Sequence, residues 1–260
     1  MINTWKKIWP SAVFILFLLV IWESSVTYWH IDAWMLPAPS AIVKEFFEYA
    51  PRLGTEVMAT IQIALAGLAI GVVVGMSTAT FLHLSSFLKK MVYPLIVLSQ
   101  NIPLIALAPL LVMWLGLGML PKLIVVALVC FFPVTVSMMD GFLQTDRTLL
   151  IYLKMAGASR WELFRKLEWP SALPSLFSGL KVSATYSVMG AVIAEWLGAE
   201  HGLGVIMTLA SSSFRTDRVM LAILLIMCLS LCLFGLITFL EWLSSRWKQG
   251  GGRSHASTRD

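Results

Sequence analysis

The chain has 260 residues, of which 58% are hydrophobic and only 13% charged, with a mean hydropathy of +0.83. A soluble domain carries about twice that share of charge, and a chain of this length cannot enclose so much apolar surface in water. Lipid must therefore be the solvent for most of it. The net charge of +5 does not indicate nucleic-acid binding, because the cations sit singly or in pairs between uncharged runs and form no basic face.

A bilayer core about 30 Å thick needs roughly 20 apolar helical residues per crossing. Six stretches qualify, at 8–29, 57–82, 91–118, 120–141, 171–197 and 219–243. The expected architecture is an all-α membrane protein of six transmembrane helices occupying 1–249, followed by a polar, disordered cytoplasmic tail at 250–260. The first run is read as a retained span, since no small-residue cleavage site follows Lys6 and Lys7. With six spans, fourteen of the nineteen Lys and Arg residues fall on one side of the membrane, among them Lys89, Lys90, Arg147, Lys154, Arg160 and Arg165. The positive-inside rule then places that side and both termini in the cytoplasm.

Between the first two spans, Pro37-Ala38-Pro39-Ser40 reads as a stop followed by a Ser cap, with a short interfacial helix at 41–49 on the outer face. In the second span Gly67, Gly71 and Gly75 share one face and allow another helix to approach closely. The third span carries Pro94, Pro103 and Pro109 as breaks, and Ser99-Gln100-Asn101 just before the middle one. A broken polar stretch at this depth either lines a cavity or bonds neighbouring helices. In the fifth span Ser183, Tyr186, Ser187 and Gly190 recur at i, i+3, i+4 and i+7 and so share a face. That face suits either a neutral heteroaromatic solute or interhelical hydrogen bonds. Glu195, at the outer end of this span, is expected to serve as an outer gate or in an ion pair with Arg215 or Arg218.

The segment 145–169 is the longest cationic loop. A helix beginning near Asp146 should end at Gly157 in a left-handed cap. Ser159 and Glu162 should then open a second helix through a capping box, before Pro170 and Pro174 lead into span five. Leu149, Leu150, Leu153, Trp161 and Phe164 are apolar residues in a solvent loop and favour a protein partner. No Gly-Lys pair occurs anywhere, so the chain has no phosphate-cradling loop. A secondary transporter would show mid-membrane coupling carboxylates and an inverted repeat, and an intramembrane serine protease a Gly-x-Ser motif and a His at depth. The chain offers neither set.

Here the residues carry a resemblance. Gly157-Ala158-Ser159-Arg160-Trp161-x-x-Phe164, followed by Pro170-x-x-x-Pro174 and Gly179-Leu180, is similar to the signature loop of permease subunits of ATP-binding-cassette importers. So are Leu36-Pro37-x-Pro39-Ser40, Ile102-Pro103-Leu104-x-Ala106-x-x-Pro109-Leu110, Ala194-Glu195-x-Leu197-Gly198 and Gly202-Leu203-Gly204. Together they resemble the nitrate/sulfonate/taurine branch, and the block from Ser178 to Trp196 resembles formylaminopyrimidine (thiamine-precursor) permeases.

The resemblance implies a type I importer permease (MetI-like) fold in the bacterial cell membrane, with a coupling helix between spans four and five. It implies docking on a separate ATPase through Ala156, Gly157, Ala158, Ser159, Arg160 and Phe164. The family's Glu-Ala-Ala triplet falls at Ile151-Tyr152-Leu153, so its acidic contact is absent. The implied partners are a second permease copy, two ATPase subunits holding ATP and Mg, an external solute-binding protein and a small solute, with no nucleic acid. The chain itself would be non-catalytic and hold no metal or cofactor. The solute implied is a thiamine-precursor pyrimidine; sulfonates, nitrate, taurine and riboflavin are the alternatives. The expected translocation path runs past Gln100, Asn101, Ser183, Tyr186, Ser187 and Gly190.

Overall fold

The computed structural model describes residues 2–250, with side chains over 9–244; the tail expected at 250–260 lies outside them but for its first residue. Ten helices follow in order: α1 Ile2–Tyr28, α2 Pro39–Leu84, α3 Ser86–Ser99, α4 Leu104–Leu115, α5 Met119–Leu143, α6 Arg147–Met155, α7 Arg160–Leu163, α8 Trp169–Glu195, α9 Leu203–Ser212 and α10 Thr216–Gly250. A π-helical turn, Phe164–Glu168, joins α7 to α8. Among the described residues no strand is present. Five helices are long and apolar enough to cross a bilayer, and a sixth crossing is made if α3 and α4 count as one bent span.

The core forms where α5 lies between α2 and α8. Small residues set the spacing. A Cβ on Gly67 would stand 2.4 Å from Val126 Cβ, and one on Gly71 would stand 2.6 Å from the Ala127 carbonyl, so the glycine face of α2 lies directly on α5. On the other side, a Cβ on Gly179 would meet the Pro133 carbonyl at 2.8 Å. Helices this close exchange polar contacts with each other's backbone. Ser183 Oγ of α8 donates to the Cys130 carbonyl of α5 at 2.9 Å, and Thr135 Oγ1 of α5 donates to the Gly75 carbonyl of α2 at 3.4 Å. By contrast α1 exposes Phe14, Leu16, Phe17 and Val20, as a helix facing lipid does.

Three expectations change. No separate interfacial helix occupies 41–49, because that stretch is the first part of the 46-residue α2, which runs through Pro51 without a stop. Its start is fixed from other elements. Glu23 of α1 accepts from Ser40 N at 3.0 Å and Ser40 Oγ at 2.7 Å, so a carboxylate from outside caps α2 rather than Ser40 itself. Glu45, only 2% exposed, is clamped by Arg215 at 2.5 Å and Arg218 at 2.6 Å, and Arg218 also lies 4.4 Å over the Tyr49 ring.

The third span is not one helix. α3 and α4 meet at 101°, and of its three prolines only Pro103 stands at the break. Pro94 and Pro109 lie within helices. At the bend the Asn101 amide donates to the Val97 and Leu98 carbonyls, and Ile102 N donates to the Ser99 carbonyl at 3.1 Å. The Ser99 carbonyl, which the missing Pro103 N–H would leave open, is thereby satisfied by Ile102 N, and the Asn101 amide serves two further carbonyls of the last turn of α3. Finally, α7 does not stand apart from span five: it continues into α8 through the π-helical turn, with Pro170 in the first turn of α8.

Candidate functional site

Two ends and one cavity carry the polar chemistry. At the loop end, Asp146 Oδ1 caps α6 by accepting from Thr148 N at 2.7 Å and Leu149 N at 3.3 Å. α6 ends in a full Schellman motif: Gly157 N donates to the Lys154 carbonyl and Ala158 N to the Leu153 carbonyl, both at 3.0 Å, with Gly157 at φ +86. The capping box is present, with Glu162 Oε2 accepting from Ser159 N at 3.0 Å and Glu162 N donating to Ser159 Oγ at 3.3 Å. A Cβ placed on Gly157 would meet nothing within 4 Å, and Ile151, Tyr152, Met155 and Trp161 are exposed around it.

Phe164 does not belong to that open surface. It is 5% exposed and packs among Trp161, Trp169 and Phe142, with ring centroids 5.6–5.9 Å apart. It roots the loop in the bundle, because an aromatic ring at the π-helical turn is carried back towards α5. The expectation that it touches a partner is corrected accordingly. Beside it, Glu168 is 2% exposed and bonds His83 Nε2 at 2.8 Å and Arg160 Nη1 at 3.2 Å. His83 ends α2 and stacks on Phe142 at 4.2 Å. One carboxylate thus ties the loop to α2 and α8 together. Nothing in the local sequence pairs His83 with Glu168; its position at the end of an apolar run is the available signal.

At the opposite end, which carries the 198–204 turn, Glu195 is 1% exposed and makes no ion pair with Arg215 or Arg218, both of which are taken by Glu45. Its Oε2 accepts from Gly204 N at 2.7 Å. The neighbouring donors are held from α2: Gly202 N by Glu56 Oε2 at 2.6 Å and Leu203 N by Thr60 Oγ1 at 2.9 Å. Three successive N–H groups at the start of α9 are therefore capped by side chains from two other helices, where opposite partial charges favour carboxylates. The glycines are obligatory here. A Cβ on Gly202 would stand 2.2 Å from Glu195 Cδ, and one on Gly204 would stand 2.5 Å from the Val192 carbonyl.

Between the ends, α8 and α10 are joined by Lys181 and Glu241 at 2.5 Å, a pair that sequence spacing could not reveal. Around the α3–α4 break lies a cavity of about 700 Å³ bordered by α5 and α8. The residues expected along a path divide. Gln100 and Tyr186 line the cavity, and Asn101 sits at the bend. Ser183 and Ser187 are fully buried, their hydroxyls donating to the Cys130 and Ala184 carbonyls. Gly190 lies against Val126 and Val129, which a Cβ would meet at 3.6 Å. The four positions span an arc wider than the cavity: Ser183 and Gly190 lie against α5, and Ser187 is buried with its hydroxyl bonded within α8.

With this geometry in hand the comparisons are specific. The family model described as a binding-protein-dependent transport system inner membrane component matches residues 71–248. The chain is 35% identical over 239 residues to the formylaminopyrimidine transport permease protein ThiX of Halalkalibacterium halodurans, covering 92% of this chain and 95% of that one. It is 31% identical over 245 residues to the riboflavin transport system permease protein RibX of Chloroflexus aurantiacus, covering 92% and 91%. The fold resembles that of a chain in the crystal structure of an amino acid ABC transporter with histidines, with a TM-score of 0.64, 15% identity and coverage of 76% and 96%. The chain belongs to the family of binding-protein-dependent transport system inner membrane components. It is a multi-pass cell-membrane protein and the permease subunit of an ABC importer.

Proposed function

We propose that this permease imports a formylaminopyrimidine-like thiamine precursor, driven by a separate ATPase that grips the loop end from the cytoplasm. The excess of cations on the loop side supports placing that end, and both termini, inside. Residues 1–249 then form one permease unit. Two copies pair in the membrane, two ATPase subunits hold ATP and Mg on the inner face, and a solute-binding protein delivers cargo outside.

One observation carries the coupling reading: the loop presents an open apolar surface over Gly157 while Glu168 and Phe164 root it in α2, α5 and α8. Ala156, Gly157, Ala158, Ser159 and Arg160 form the grip. Closure of the ATPases around ATP biases the loop, and through α8 the whole bundle, towards the state that nucleotide favours. The solute reading rests on the likeness to ThiX, and the path on Gln100, Asn101 and Tyr186. The test is to purify the permease with its ATPase and binding protein and measure which solute raises ATP turnover. Stimulation by formylaminopyrimidine is expected; stimulation only by ethanesulfonate or taurine contradicts the solute assignment.

A further inference from the structure

A cavity lies at the α3–α4 break. It exists because the 101° bend at Pro103 carries α4 away from the line of α3 and leaves room beside α5 and α8. Its volume of about 700 Å³ lies within the range of about 300–1,000 Å³ typical of small-molecule sites. Such sites have mostly apolar walls and a few placed polar groups, and this one conforms. Phe131 and Phe132 form a wall of two rings 5.2 Å apart and inclined at 69°, Tyr186 and Met189, both exposed, line the α8 side, and no charged side chain is among the lining residues.

We propose that this cavity is a solute-discriminating site within the permease itself, built for a flat, uncharged nitrogen ring, with Gln100 and Tyr186 as its specificity-determining residues. The proposal rests on the importer reading above and adds selectivity by the permease to whatever its binding protein selects. Gln100 and Tyr186 are both exposed at the cavity, their polar ends open to a ligand, whereas Ser99 Oγ already donates to the Ile96 carbonyl at 2.9 Å. A carboxamide offers one donor and one acceptor in a plane. It therefore pairs with a ring nitrogen beside an exocyclic amine, as glutamine pairs with the edge of adenine. An aminopyrimidine presents that same edge, and its faces suit the aromatic wall. A sulfonate or nitrate anion would leave water for a cavity with no countercharge, and that desolvation has nothing to offset it.

The test uses the permease–ATPase complex without binding protein, in a background where the exposed Cys228 and Cys232 are replaced by alanine. Met189→Cys then places a thiol in the cavity wall, and its alkylation rate is followed with formylaminopyrimidine or ethanesulfonate as probe. The ring is expected to slow alkylation while ethanesulfonate does not. Gln100→Ala should raise the half-protecting ring concentration about tenfold, the loss of roughly one good hydrogen bond, and Tyr186→Phe should raise it less. Gln100→Arg should let ethanesulfonate protect. Equal protection by both probes, or unchanged protection in Gln100→Ala, overturns the proposal. Solute-stimulated ATP turnover of the unsubstituted complex separates the two claims. If formylaminopyrimidine drives turnover but fails to protect, the cavity assignment is wrong and the solute reading stands. If only ethanesulfonate drives turnover, the solute reading fails, and protection by the ring alone still upholds the cavity.

Discussion

At the loop end a buried carboxylate, Glu168, faces a histidine and an arginine from two different elements. At the turn end another, Glu195, faces the backbone N–H of Gly204. The glycines beside them differ in the same sense. Gly157 has open space where its side chain would be, whereas Gly202 and Gly204 have Glu195 and the α8 backbone there. A glycine kept for its φ with nothing beside it leaves room for another molecule to approach. A glycine kept because a neighbour fills its Cβ position locks the chain to itself. The loop end is thus open, as the proposed grip requires, and the turn end is closed on α2 and α8, with α8 running between them.

The contrast can be broken most sharply at the turn. Gly204→Ala forces a Cβ to within 2.5 Å of the Val192 carbonyl, backbone that cannot rotate away. It should destabilise the protein by about 3 kcal/mol, read as a lowered unfolding midpoint in detergent; an unchanged midpoint would show that α9 is not packed as described. Next comes Glu168→Ala, which strands His83 and removes the tie to Arg160. Breaking a buried pair costs about 3 kcal/mol, and because Arg160 is half exposed the loss should fall somewhat below that. ATP turnover should also lose its dependence on solute. Gly157→Val puts a β-branched residue at φ +86, a strain of about 1–2 kcal/mol. Here uptake per ATP should fall far more than stability does, and proportionate losses would argue against a gripping role. The smallest effect is expected for Glu195→Gln, whose amide oxygen can still accept from Gly204 N. A change within about 1 kcal/mol is predicted, and a collapse would mean that the charge itself holds the turn.

What was legible in the sequence was local. The Asp146 and Gly157 caps and the Ser159–Glu162 box are set by residues within a turn or two of one another, and each is found where the spacing puts it. Glycine at every fourth position likewise announces a face, whatever helix lies on it. The cross-chain ties were not legible. His83 and Glu168 lie 85 residues apart, Glu56 and Gly202 146, and Arg215 and Glu45 170, and no periodicity links such positions. Within α8, the shared helical face of Ser183, Tyr186, Ser187 and Gly190 was correct as geometry. Its function was divided because α8 is enclosed on more than one side, so that only Tyr186 reaches the cavity. Pro94, Pro103 and Pro109 are equivalent as breakers in the sequence; the one that breaks follows Asn101-Ile102, whose side-chain amide and backbone N–H take up carbonyls of the last turn of α3.

The central claim is that a separate ATP-driven subunit holds the loop end on the cytoplasmic side. It is tested most directly by placing Ser159→Cys in the native membrane, with Cys228 and Cys232 removed, and treating intact cells with a membrane-impermeant maleimide before lysis and thiol crosslinking. The account predicts no labelling from outside and, after lysis, a covalent adduct with the nucleotide-binding subunit. Labelling of residue 159 in intact cells, with no such adduct, would contradict it.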